Sequence, residues 1–168
     1  SFVLPTESLG DEYIIQSYDQ SKTFYANAYV TNNETSSFLI VATEDNTEIA
    51  ITPTVNTLGG HLAGETFTIT MNAGETYLVR STRTGDQRDL SGTRILTGDC
   101  KRIAVFNGNT LTCIPANIED GYDHVFEQAM PLHSWGKSFV VTSSRNRNRD
   151  FIKITSSADH NQVTMNGE

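Results

Sequence analysis

The densest group of side chains with possible acid–base or metal-binding chemistry is Asp123-His124-x-x-Glu127-Gln128. In a helix, His124 and Glu127 would share a face and could bind a metal or act as acid and base. In a strand, side chains alternate, so His124 lies on the side opposite Asp123 and Glu127. Neither arrangement supplies a third ligand at local spacing. Asp123, His124 and Glu127 are nevertheless retained as candidate ligand-binding residues. The simpler alternative is that their side chains cap turns and bond to backbone.

A second candidate site is a basic run in an otherwise acidic chain, which contains Arg145, Arg147 and Arg149. It separates two predicted strands and is therefore predicted to be a hairpin loop. Guanidinium groups bind carboxylate and sulfate oxygens in pairs, so the loop could hold an acidic glycan. The simpler alternative is an exposed polar loop without a ligand. Because loops on a rigid β scaffold often make binding contacts, residues 56–64, 82–89 and 145–150 are predicted contact loops.

Other site chemistries have no support in the sequence. No G-x-S-x-G nucleophile turn, phosphate-binding glycine motif or EF-hand pattern is present. The chain is therefore predicted to be no enzyme and to use no metal or cofactor. A net charge of −8 at pH 7 opposes phosphate contacts, so no nucleic-acid partner is expected. No run of 18 apolar residues occurs, so direct membrane insertion is not expected.

The elements that must position these residues are strands. Helical periodicity is nearly absent over the 168 residues, while short apolar and β-branched runs recur between Gly, Asn, Asp and Thr. The predicted strands are residues 13–17, 23–31, 37–43, 47–52, 65–71, 76–81, 93–97, 102–107, 137–142, 151–156 and 162–165. Short strands at this spacing predict an all-β fold, an antiparallel β-sandwich.

Turn chemistry marks several joints between these strands. Residues 44–47 and 72–75 each separate two β-rich runs, and residues 97–99 precede another. Asn46 and its neighbours tolerate a left-handed backbone, and Gly74 suits the positive-φ position of a hairpin. Cys100 and Cys113 bracket a further strand. A disulfide between them requires the chain to fold back sharply, so the bridge and two separate thiols remain alternatives.

An internal repeat is the most informative pattern. Leu4-Pro5, Gly10 and residues 13–15 recur 126 residues later as Met130-Pro131, Gly136 and residues 139–141. Residues 40–51 recur 114 residues later as residues 154–165, with matching turn chemistry at 45–47 and 159–161. The pattern predicts a first β unit at residues 1–128 and the truncated start of a homologous second unit at residues 129–168. This second part either belongs to a longer chain or completes the sheets of the first unit.

Several segments, in order, carry a family resemblance: LP at 4–5, GDEYI at 10–14, SFLIVATEDNT at 37–47, GETY at 74–77, DLSGTRI at 89–95, IAVFNGN at 103–109, DHVFEQ at 123–128 and WGK at 135–137. Together they resemble the IgG Fc-binding protein N-terminal domain family. That family occurs in a mucus-associated animal glycoprotein and in bacterial surface or secreted proteins, including those of gut Bacteroidetes. Animal members have Cys where this chain has Tyr122, so the resemblance implies a bacterial-type member.

The resemblance implies an exported binding or adhesion module without known catalysis. Its expected location is extracellular or on the cell surface, associated with the outer membrane, with the signal segment absent from this sequence. The implied partners are a protein or glycan on the host or in mucus, and neighbouring domains of a longer chain. Two alternatives stay open: a structural spacer in a multidomain surface protein, and a glycan-active enzyme that uses Asp123 and Glu127.

Overall fold

The structure, a computed structural model, describes residues 2–18, 35–82, 88–114, 123–142, 144–145 and 150–165. Its strands are β1 (Glu12–Ile14), β2 (Ser36–Ala42), β3 (Thr47–Thr52), β4 (Phe67–Met71), β5 (Thr76–Arg80), β6 (Arg94–Thr97), β7 (Ile103–Thr112) and β8 (Asp123–Gln128). They form two antiparallel sheets, sheet one in the order β1-β6-β3-β4 and sheet two in the order β5-β2-β7-β8. The predicted all-β antiparallel sandwich is confirmed. The predicted strand at residues 23–31 lies outside the described residues.

The hydrophobic core lies between the two sheets. Phe38 and Ile40 on β2 face Ile49 and Ile51 on β3, and all four side chains are at most 1% exposed. Intervening positions such as Glu48 point outward. Side chains alternate along a strand, so apolar residues at every second position place one face of each strand in this core.

The two predicted turns at residues 44–47 and 72–75 form, but neither closes a hairpin. Asn46 and Gly74 have the positive φ values expected of them, 52° and 83°. However, β2 and β3 belong to different sheets, as do β4 and β5. Each turn carries the chain across the core, so the apolar faces of the strands it joins meet face to face. The turns lie side by side, because Gly74 N donates to Ala42 O at 2.9 Å and Ala73 N to Asp45 Oδ1 at 3.0 Å.

The third predicted turn also forms where expected, with different residues in the left-handed region. Asp99 and Cys100 both have φ of 54°, and Gly98 does not have a positive φ. The hydroxyl of Thr97 closes the turn by donating to Lys101 O at 2.6 Å. Cys100 is an exposed free thiol and Cys113 is buried, so the Cys100–Cys113 disulfide is not formed.

Tyr13 anchors β1 to the other sheet. Its side chain is fully buried, and its hydroxyl donates to Ile103 O at 2.7 Å and accepts from Gly10 N at 2.9 Å. Burial raises the pKa of the Tyr13 phenol above its usual 10.0, the bond from Gly10 lowers it, and the charge of Asp11 raises it. The phenol therefore ties the N-terminal turn to the start of β7 in its neutral form.

The strands predicted at residues 137–142, 151–156 and 162–165 are not formed in the described part of the chain. Apolar side chains in them lie in solvent, with Phe139 76% and Val140 92% exposed. A strand is stable only when a neighbour satisfies its backbone and covers its apolar face, and these segments pair with no described strand. In the described residues these segments therefore add no strand to either sheet, and how the second part is completed stays a prediction.

Local conformations nevertheless recur between the two halves. Pro5 and Pro131 have φ, ψ of −65°, 153° and −65°, 149°, and each precedes a short 3-10 turn, Thr6–Ser8 and Leu132–Ser134. Asn46 and His160, 114 residues apart, both have positive φ, 52° and 61°. The internal duplication and the boundary at residue 129 remain predictions.

Candidate functional site

The acidic and histidine cluster lies on a strand, so the helical alternative is wrong. β8 pairs antiparallel with β7, with Glu127 opposite Asn107 and Phe126 opposite Gly108. Four of the six residues of this run are polar or ionisable, and only Val125 and Phe126 favour strands, which explains why β8 was not predicted. Pairing with the long β7 overrides that local preference.

Asp123 and His124 interact with each other at the free end of β8. Asp123 Oδ1 accepts from His124 N at 2.8 Å and lies 3.1 Å from His124 Nδ1. The side chains of His124 and Asp123 are 73% and 84% exposed. Glu127 lies four residues along the strand, about 13 Å away at about 3.3 Å per residue. Among the described residues, no three His, Cys, Asp or Glu side chains are grouped to hold a metal ion.

The basic candidate site is described only in part. Arg145 lies exposed in a turn, whereas Arg147 and Arg149 lie outside the described residues. The predicted contact loop at residues 56–64 is fully described and presents Leu58 and Leu62, which are 45% and 52% exposed. Most of the loop at residues 82–89 lies outside the described ranges.

An apolar stripe that the sequence patterns did not predict lies on the outer face of sheet two. It consists of Leu78 on β5, Leu39 on β2, Phe106 on β7 and Phe126 on β8. Leu39 lies directly opposite both Leu78 and Phe106 in register. The rings of Phe106 and Phe126 stack with centroids 5.2 Å apart and planes at 4°. Leu78 and Phe126 are 56% and 45% exposed, so the stripe is a preformed apolar surface across all four strands.

A signal for this stripe was present in the sequence. β2 and β7 contain the continuous apolar runs FLIVA and IAVF, where a strand with one solvated face would alternate apolar and polar residues. One face of each run fills the core, so the other face has to present apolar side chains outward. Phe126 gave no comparable signal, because its place beside Phe106 depends on the register of β8 against β7.

A small cleft lies at the junction of the two predicted units. Its volume is about 190 Å³, and its polar lining comes from Glu7, Asp11, Cys100, Arg102 and His133. None of the predicted site residues lines it.

The family model described as IgGFc binding protein matches residues 1–168. The chain belongs to the IgGFc binding protein family. No curated protein and no solved structure matches it. This IgGFc binding protein family member has two antiparallel sheets and an apolar outer face on one of them. This match confirms the resemblance to the family found in the sequence. The family is one of binding proteins. The assignment to a bacterial-type member stays a prediction.

Within the part of this family member that the structure describes, no helix is both long and apolar enough to cross a bilayer.

Proposed function

We propose that this chain is a non-catalytic, extracytoplasmic protein-binding module that uses the outer face of sheet two as its contact surface. The observation that carries the proposal is the apolar stripe of Leu78, Leu39, Phe106 and Phe126. Aromatic and aliphatic side chains held rigidly on a sheet lose little conformational freedom on binding. Such residues commonly dominate the free energy of protein association.

The size of the face indicates how a partner would use it. Four strands at about 4.8 Å spacing and six residues at about 3.3 Å give an area of about 400 Å². A typical stable interface buries about 800 Å² on each partner. The stripe therefore forms the apolar centre, and polar groups around it complete the interface. His124 lies on the same side of β8 as Phe126 and supplies part of that rim. Asp123 and Glu127 lie on the opposite side of the same strand, at the edge of the sheet.

The family description makes the Fc region of immunoglobulin G the first protein to test. A host or mucus glycoprotein is the second. A glycan ligand is less well supported, because its polar groups would leave the apolar stripe unused; the basic residues Arg145, Arg147 and Arg149 are the proposed contacts if an acidic glycan binds. Surface location, with or without outer-membrane attachment, is part of the same proposal.

The binding face can be tested with a matched pair of variants. Phe126→Ser removes an aromatic side chain from the stripe, and Phe139→Ser removes one that is 76% exposed elsewhere. Binding to immobilised Fc, to purified mucin and to an array of sulfated and sialylated glycans is measured by surface plasmon resonance. We expect Phe126→Ser to weaken protein binding by tenfold or more and Phe139→Ser to leave it unchanged, with thermal unfolding confirming that both fold. Equal affinities for the two variants, or binding to glycans alone, would refute the proposed face.

A structural spacer remains the second candidate, favoured by the contact of Gly10 with Pro131 between the predicted units. Under that function the wild-type chain binds none of these probes and instead associates with itself or with neighbouring domains.

A further inference from the structure

Residues 151–157 pass alongside residues 16–18, which follow β1, and contact the first unit through several groups. The Phe151 ring meets the Tyr18 ring edge-on, with centroids 5.7 Å apart and planes at 89°. Gln16 Nε2 donates to Lys153 O at 2.9 Å, and the Arg94 guanidinium donates to Ser157 O at 2.6 Å. This part of the predicted second unit therefore lies against the first, although it joins neither sheet.

Lys153 is the centre of the contact. Its ammonium donates to Ser17 O at 2.7 Å, to Asp89 Oδ2 at 2.6 Å and to Ser91 Oγ at 2.6 Å. It also lies 5.5 Å from the centroid of the Tyr18 ring. An ammonium has three N–H donors, and all three have an acceptor here. The side chains of Lys153 and Asp89 are only 27% and 32% exposed, so the pair is partly shielded from solvent.

The acceptors are held in place by the first unit itself. Asp89 Oδ1 accepts from Ser91 N at 2.9 Å and from Ser91 Oγ at 2.7 Å, and Ser91 Oγ also lies 2.9 Å from Ser17 O. This mutual bonding fixes a carboxylate, a hydroxyl and a carbonyl around one point. Because these groups need no rearrangement to receive a cation, little entropy is lost when Lys153 enters.

The exposure of residues 152–155 indicates which side of the segment is used. Lys153 and Thr155 are partly buried, whereas Ile152 and Ile154 are 49% and 63% exposed. In the predicted repeat Ile152 and Ile154 correspond to Phe38 and Ile40, which fill the core of the first unit. Lys153 and Thr155 therefore face the first unit, while the side of the segment that corresponds to a core face, with Ile152 and Ile154, faces solvent.

We infer that Lys153 latches the second unit of this chain onto the first, through a preformed acceptor site made by Ser17, Asp89 and Ser91. Two consecutive units then meet through a fixed interface and do not swing on a flexible linker. Pro131 packed against Gly10 is the second point of that interface. The latch is independent of the binding function proposed above.

The test removes the ammonium and keeps the aliphatic stem, as Lys153→Met. Lys137→Met is the control, since Lys137 is an exposed lysine of the same second unit. Thermolysin cleaves beside exposed apolar residues such as Ile152 and Ile154. We expect Lys153→Met to be cut in this segment at least tenfold faster than wild type, under conditions where circular dichroism shows the sandwich intact. Lys137→Met should be cut at the wild-type rate.

A spectroscopic measurement gives a second readout that does not depend on protease access. In the ¹⁵N-labelled wild-type chain, the Lys153 ammonium should exchange slowly and give a resolved signal at neutral pH, whereas that of Lys137 should exchange too fast to be seen. Asp89→Asn should abolish the Lys153 signal. Equal cleavage rates for the two methionine variants, or no slow ammonium signal in the wild type, would each overturn the latch.

Discussion

Pro131 packs so closely on Gly10 that a Cβ atom on Gly10 would lie 2.5 Å from the Pro131 Cβ. The same atom would lie 3.0 Å from His133 Nδ1. The close contact requires a residue without a side chain at position 10. Backbone conformation is not the reason for glycine there, because the φ of Gly10 is not in the left-handed region. The contact joins two turns that begin with Pro5 and Pro131, which correspond in the predicted repeat, so the start of one predicted unit packs against the start of the next.

Gly10→Ala should destabilise the protein by about 1–3 kcal/mol, because the added methyl group overpacks a contact with a rigid proline ring. The free energy of unfolding is measured by urea denaturation. Gly59→Ala is the matched control, since an added Cβ there meets nothing closer than 3.5 Å. If both variants lose the same stability, the contact of Gly10 with Pro131 is not responsible.

Tyr13→Phe should lower stability near neutral pH by about 1–3 kcal/mol, since Ile103 O and Gly10 N lose their shared partner. It should also change the response to alkali. The folded-state pKa of Tyr13 is raised above 10.0, so its contribution to stability is complete below pH 10 and is lost as pH rises through the folded-state pKa.

Urea denaturation between pH 8 and pH 11 checks this prediction. Wild type should lose more stability than Tyr13→Phe above pH 10. Parallel curves for wild type and Tyr13→Phe would contradict the assignment.

The predicted repeat supplies a second matched comparison, between Ile40 and Ile154. Ile40→Ala should cost about 2–5 kcal/mol, because it opens a cavity at a fully buried site. Ile154→Ala, at a position 63% exposed, should change the free energy of unfolding by no more than about 0.5 kcal/mol. Thermal and urea unfolding of both variants measure the difference. A large loss for Ile154→Ala would mean that this segment is packed as a core strand.

The acidic residues of β8 should matter for association and not for folding. Asp123→Asn with Glu127→Gln should leave the unfolding midpoint unchanged, because both side chains are exposed. If β8 borders the contact face, the double variant should alter the association rate for a protein ligand and its dependence on salt. Kinetic binding measurements at about 0.05 M and 0.5 M NaCl would show this. A rate that stays equal to wild type at both salt concentrations would show that these two charges do not act on the contact.

Local pattern was sufficient for the strands that alternate cleanly. β3 has Ile49 and Ile51 inward and Glu48 outward, and its predicted bounds, 47–52, are those observed. The local pattern gave wrong predictions where pairing with another strand decides whether a segment becomes a strand. β8 carries polar residues and becomes a strand because β7 pairs with it, while residues 137–142 have strand composition and remain unpaired.

The candidate face needed information that only the folded chain contains. Whether a turn closes a hairpin or crosses the core decides which strands are neighbours. The sequences of residues 44–47 and 72–75 are compatible with both, so they do not predict which occurs. The stripe depends on β5, β2, β7 and β8 lying in that order. Their sequence spacing gives no hint of that order.

The pairing of β1 with β6 has a consequence for how the chain folds. Tyr13 lies opposite Ile95 in the ladder, and its hydroxyl reaches Ile103 O, so the first strand finds its partners more than eighty residues later. Such a high contact order favours slow folding, because a long loop must close before any of these contacts form. As the polypeptide leaves the ribosome, β1 has no partner among the described strands until β6 has emerged. Chaperones therefore have the longest time to bind the segment that contains β1.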